Sequence, residues 1–200
     1  AYVTGDKPGF ERFEKFAQAL ELSIGNPMYH WCNLELRQFF GYDKPLSAKT
    51  AAEAWAFCNE KLQNDPKLTV RGIIEKANVA MIGTTDDPVD SLEWHVKLAA
   101  DPAVRVKVCP SFRPDKAINI SKPGFAEYIG RLAASVGAER LESTEEVCRA
   151  LTARLEFFKS LGCRASDHGL DYIPFRPGTA AQVDAAYQKA MRGETLTLEE

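Results

Sequence analysis

The stretch Val104–Lys116, VRVKVCPSFRPDK, alternates Val104, Val106 and Val108 with Arg105, Lys107 and Cys109, and then turns polar. A period of two marks a strand, because successive side chains leave opposite faces of the backbone. Two other stretches share this form. Asn78–Gly83 (NVAMIG) leads into Thr84-Thr85-Asp86-Asp87-Pro88, and Cys163–Ser166 leads into Asp167-His168-Gly169-Leu170-Asp171. Helical patterns separate them. Asp87 and Pro88 open a helix whose buried face takes Leu92, Val96 and Leu98, and a second helix spans about Pro123 to Val136. Ser143 and Glu146 form a capping box ahead of Leu151, Leu155, Phe158 and Leu161, with Gly162 as the stop. A last helix runs from Thr179 through Val183, Tyr187 and Met191 to Gly193. Strand and helix in alternation imply a parallel sheet with right-handed crossovers. Three such units are too few to close an eight-stranded barrel, which takes about 250 residues. The expected fold class is α/β, either an open sheet or one part of a barrel.

The preceding residues have another rhythm. Pro8 suits a first helical turn, and Phe10, Phe13, Phe16 and Leu20 follow at helical spacing. Thr50 and Glu53 read as a capping box before Trp55, Cys58 and Leu62, and a third helix starts near Thr69 with Val70, Ile73, Ile74 and Ala77. The expected organisation is a helical region over 1–77 and a βα segment over 78–200.

Composition narrows the function classes. With 45% hydrophobic and 26% charged residues and a net charge of -3, the chain reads as a soluble globular protein without the basic patch that a nucleic-acid partner needs. No apolar run approaches the roughly 20 residues of a membrane span, and Ala1 to Asp6 lack the order of a secretory signal. Cys32, Cys58, Cys109, Cys148 and Cys163 are odd in number and widely spaced, which fits reduced thiols in the cytoplasm.

Parallel α/β folds place their functional groups at the carboxyl ends of strands, so the three polar segments are expected to line one mouth. Arg113, held between Phe112 and Pro114, has a planar fork suited to a carboxylate; its alternative is a structural salt bridge with Asp115 or Asp167. Asp167 and His168 form the most suggestive pair, able to move or orient a proton. Asp87 reads as a helix cap, and Asp86 as either a ligand or a turn residue. His30 reads as a packed histidine and His95 as a helix-surface one. Without an H-x-H or a third convergent ligand, this chain supplies no metal site of its own.

Four segments in series resemble the uronate isomerase family. They are Ile24–Trp31 (IGNPMYHW) with Leu34–Arg37 (LELR), Val79–Ser91 (VAMIGTTDDPVDS), Pro110–Ala117 (PSFRPDKA) and Gly162–Asp171 (GCRASDHGLD). The resemblance covers nearly all of the chain and is weakest at both ends and around Ser135 to Glu142. It implies a distorted (β/α)8 barrel of the amidohydrolase superfamily with a mostly helical insertion. It also implies interconversion of D-glucuronate with D-fructuronate, or of D-galacturonate with D-tagaturonate, with a sugar acid as the small-molecule partner. A homo-oligomer is one assembly open to the chain, and the sequence does not fix the oligomeric state. Arg113 matches the arginine that contacts the sugar acid, Asp167 a strand-end acid, and His168 lies beside it. The family's divalent metal, taken to be zinc, uses an H-x-H and later-strand ligands that this sequence lacks. The chain is accordingly expected to be an internal fragment, inactive alone. The rival readings are a metal-dependent hydrolase of the same superfamily and a non-catalytic binding or assembly module.

Overall fold

The computed structural model describes residues 2–169 and 176–197. Packing divides the chain into two units, Ala1–Val79 and Ala80–Glu200.

The first unit is helical. Helix α1 (Gly9–Glu21) lies against α3 (Ala51–Asn64), with Phe10 and Phe13 at 5.8 and 5.3 Å from the Trp55 ring. Ala17, Leu20, Tyr42, Leu46, Ala51 and Ala54 form its core. Phe16, expected on the buried stripe, is 43% exposed because Ala17 holds that place in the helix packing. Helix α2 (Pro27–Glu35) starts where the Asn26 side chain accepts from the Met28 amide, with Pro27 in the first turn, and continues through a π-helical turn at Leu36–Phe40. The capping box expected at Thr50 and Glu53 does not form. The Thr50 hydroxyl donates to the Pro45 carbonyl at 2.8 Å and accepts from the Ser47 amide, while Glu53 pairs with Lys44 at 2.6 Å. Helix α4 (Val70–Lys76) is capped by Thr69.

In the second unit, β1 (Met81–Asp86) and β2 (Lys107–Phe112) pair in parallel from Met81 with Lys107 to Asp86 with Phe112. Both strands start later than the alternation suggested. Asn78 takes a left-handed φ of 52° and the Val79 amide still closes the α4 turn, while the Val104 amide is spent on a turn to Asp101. Among the described residues, the expected third strand is reduced to one bridge, Phe112 with Ser166. Proline explains the reduction. The Phe112 amide faces Ala165, donating to its carbonyl at 3.0 Å. With a period of two, residue 110 faces the same way, but Pro110 has no N–H to offer.

Between the strands, Asp87–Asp90 is a turn rather than a helix start, and α5 (Glu93–Ala100) begins only after Leu92, which has φ 55°. Leu92 is buried but Val96 is 50% exposed, contrary to the expected face. After the four-residue α6 (Asp115–Ile118) come α7 (Phe125–Ser135), α8 (Thr144–Ser160) and α9 (Ala180–Met191). Phe125, Tyr128, Ile129, Leu132, Val147 and Tyr187 build the core that joins them. The Ser143 hydroxyl caps α8 as expected, but Glu146 reaches past Ser143 to the Glu142 amide at 2.6 Å. A reciprocal box forms instead at α9, between Thr179 and Gln182. A smaller core of Leu92, Phe112, Phe158 and Cys163 seats the end of β2 on α8, the two phenyl rings meeting edge to face at 5.2 Å. No helix of the described residues is long and apolar enough to cross a membrane.

Leu132 is 0% exposed and Leu155 is 40% exposed. Leu132→Ala is therefore expected to cost about 2–5 kcal/mol of stability, against about 1 kcal/mol or less for Leu155→Ala. Urea unfolding of the two variants side by side checks the difference.

Candidate substrate site

Three strand ends converge in the second unit. The ladder between β1 and β2 extends one step past the strands, with the Arg113 amide donating to the Asp86 carbonyl at 3.0 Å. Because Phe112 points into the core, Arg113 points to the opposite side, at the open end. Its Nη2 donates to the Asp167 carboxylate, and the Thr85 hydroxyl donates to the same carboxylate oxygen at 3.0 Å. Thr85, Arg113 and Asp167 thus come from three consecutive strand ends and meet at one oxygen. Thr85 foremost, and then Arg113, hold the Asp167 carboxyl below the usual carboxylate range.

Asp115 stands on the other side of the arginine. Its Oδ2 lies 4.0 Å from Arg113 Nε, a nitrogen that is buried without a hydrogen-bond partner. Asp115 Oδ1 is 2.9 Å from His168 Nδ1, and its Oδ2 accepts from the Gly169 amide at 2.6 Å. His168 Nε2 in turn faces the Ser166 hydroxyl at 3.1 Å. Arg113, Asp167 and His168, all expected at the site, are brought together. The salt bridge considered as an alternative for Arg113 exists as well, made with Asp167. Asp171 falls outside the described residues.

Neighbouring acids are occupied in holding the strand ends. Asp86 turns inward, its Oδ2 accepting from the Thr84 hydroxyl at 2.6 Å and from the Ser111 amide at 3.3 Å. His95 corrects the surface reading: its side chain is 11% exposed, and Nε2 sits 2.7 Å from the Thr84 hydroxyl because α5 packs against β2 with the ring turned toward β1. Asp87 caps no helix. It accepts from the Tyr128 hydroxyl at 3.0 Å and pairs with Lys116 at 2.9 Å; burial first, and then the Asp87 carboxylate, push the Tyr128 phenol far up. Arg154 braces the same turn from α8, donating to the Pro88 and Asp90 carbonyls while stacked on Phe157. His30, read as packed, is exposed instead, on a hollow of about 300 Å³ in the first unit with Tyr29, Arg37 and Lys44. Among the described residues, no group of three or more His, Cys, Asp or Glu could hold a metal ion. The residues that sequence reasoning missed are Thr85, Asp115 in its contact with His168, and Ser166. The strand-end position of each was the available signal.

A parallel α/β scaffold with an arginine, carboxylates and a histidine at its strand ends has the layout of an α/β enzyme. The chain belongs to the glucuronate isomerase family, whose model matches residues 1–200. It is 47% identical over 196 residues to a uronate isomerase of Lachnoclostridium phytofermentans, covering 98% of this chain and 42% of that protein. A uronate isomerase of Lachnospira eligens is 46% identical over 199 residues, covering 100% and 42% respectively. The uronate isomerase structure of Thermotoga maritima superposes with a TM-score of 0.85 at 33% identity, covering 99% of this chain and 43% of that one. The glucuronate isomerase structure of Caulobacter crescentus, at 24% identity and a TM-score of 0.85, shares the fold over 97% of this chain. The chain therefore spans about two fifths of the length of the relatives that it matches.

Asp167 should titrate below the ordinary carboxylate range, and Thr85→Val should bring it back toward that range. A depressed carboxyl stabilises the fold above its unfolded-state pKa, and that contribution is lost as pH falls through the folded value. Carbon NMR of labelled aspartates during an acid titration reads both; an Asp167 curve unmoved by Thr85→Val would remove the hydroxyl as the cause.

Proposed function

We propose that the protein to which this chain belongs is a uronate isomerase, converting D-glucuronate to D-fructuronate and D-galacturonate to D-tagaturonate. The observation that carries this reading is the meeting of Thr85, Arg113 and Asp167 at one carboxylate oxygen in a chain matched throughout by the family. Residues 78–200 are read as part of a (β/α)8 barrel whose further strands lie elsewhere in the protein. Residues 1–77 are read as its helical insertion. The enzyme is assigned to the cytoplasm, and the isolated chain, in which β1 pairs with a strand on one side only among the described residues, is expected to self-associate and to be inactive.

Aldose–ketose isomerisation moves a proton between C2 and C1 through a cis-enediol. Arg113 has five N–H donors, of which Asp167 takes one. The remaining Nη hydrogens are assigned to the sugar-acid carboxylate, which two parallel N–H···O bonds would orient. Asp167, held ionised by Thr85 and Arg113, is suited to accept hydrogen bonds and to fix the guanidinium rather than to donate a proton. His168 is assigned as the acid–base group, since one imidazole nitrogen can accept a proton while the other donates a hydrogen bond. The family's divalent metal, taken to be zinc, would supply Lewis acidity. The described residues do not fit it, and its ligands are assigned to the rest of the protein.

In the full-length enzyme, Arg113→Met should lower kcat/KM for D-glucuronate by about 10-fold to 100-fold, mainly through KM. Steady-state assays of ketose formation read this directly. Unchanged kcat and KM would remove Arg113 from substrate binding. A wild-type enzyme that releases an acid or amine instead of shifting the carbonyl would make it a hydrolase.

A further inference from the structure

We propose that Asp115 is a positioning residue that fixes the His168 ring, making Nε2 the nitrogen that exchanges the proton while Ser166 satisfies it in either state. This rests on the acid–base assignment of His168 above. Asp115 is well placed for the task, with its side chain 15% exposed and both oxygens committed to one loop. Oδ1 meets His168 Nδ1 at 2.9 Å and Oδ2 accepts from the Gly169 amide at 2.6 Å, so ring and backbone are held together. An ionised carboxylate can only accept, which places a hydrogen on Nδ1. Gly169 lets its backbone come close to that carboxylate. A Cβ on Gly169 would stand 3.3 Å from Asp115 Oδ2 and 3.8 Å from Arg113 Nη1.

The other ring nitrogen meets a hydroxyl with two possible acceptors. Ser166 Oγ is 3.1 Å from His168 Nε2 and 3.0 Å from the Phe112 carbonyl. When Nε2 is bare, the Ser166 O–H points at it. When Nε2 gains a proton, it donates to Ser166 Oγ, and the O–H rotates to the Phe112 carbonyl. One proton is taken up, no covalent bond other than the N–H is made, and neither state strands a donor. The charged groups around the ring among the described residues are Asp115 on α6, Arg113 at the end of β2 and Asp167 beside it in the chain. Lys116 is drawn off by Asp87. Ser166, which looks like a strand residue with nothing to do, thereby becomes the partner that makes both forms of the histidine tolerable.

The test uses the full-length protein on D-glucuronate. Asp115→Asn should lower kcat by about tenfold or more with KM changed by less than about twofold. Added to His168→Asn, the same substitution should change kcat by less than about twofold, because Asp115 acts through the ring. Equal losses in the two backgrounds would overturn the proposal. A second measurement needs no variant to fold: ring-nitrogen NMR of the histidine-labelled wild type should place the neutral His168 proton on Nδ1, and finding it on Nε2 would overturn the proposal too. Wild-type protein that turns over no hexuronate would defeat the isomerase reading instead, with the ring-proton result still deciding the role of Asp115.

Discussion

The second unit depends on the backbone of one residue. Phe112 donates its amide hydrogen to Ala165, accepts at its carbonyl from the Asp167 amide and the Ser166 hydroxyl, and is the last residue paired with β1. Its side chain is buried on Phe158, so the peptide that makes these bonds is anchored from below. Every candidate group is one or two residues from this junction or bonded to something that is. Arg113 follows it in the chain, Asp167 and His168 follow its bridge partner, and Thr85 precedes its partner Asp86 in β1. A shift of Phe112 would move all of them, which makes a buried aromatic residue as consequential for the chemistry as the charges above it.

The charges are ordered by what surrounds them more than by their number. Asp86 and Asp87 are adjacent in sequence yet face different tasks, one locking β1 to β2 and the other receiving Tyr128 and Lys116. Asp115 and Asp167 flank Arg113; Asp167 accepts from Arg113 and Thr85, while Asp115 meets His168 and the Gly169 amide and stands 4.0 Å from the guanidinium. A carboxylate that meets two partners is held in place. The guanidinium lies between the two carboxylates and is hydrogen-bonded to Asp167.

Much of this was legible in the sequence. The alternation at Val104–Val108 located a strand, and the polar residues after it marked its end, because strand direction and strand-end composition are local properties. Arg113, Asp167 and His168 were expected together for that reason, and the structure brings them to one strand-end cluster. What was not legible depended on contacts far apart in the chain. Thr50 and Glu53 have the spacing of a capping box, yet Pro45 and Lys44 offered better partners. His95 looked exposed because nothing in its helix reveals that α5 lies against β2 with the ring turned toward Thr84. Strand starts were placed too early, since Asn78 and Val104 keep their backbone groups for turns that alternation does not record.

The proline in β2 has a further consequence. A parallel strand can often slip along its neighbour by two residues without turning its side chains to the wrong face, and such slippage is a common failure of short, weakly patterned strands. Here the slip toward the start of β2 is closed, because a carbonyl displaced from the Phe112 amide would find the Pro110 ring where it needs a donor. The pairing observed is the one that sets Asp167 beside Arg113. The residue that shortens the sheet also guarantees that the acid and the histidine arrive at the correct address.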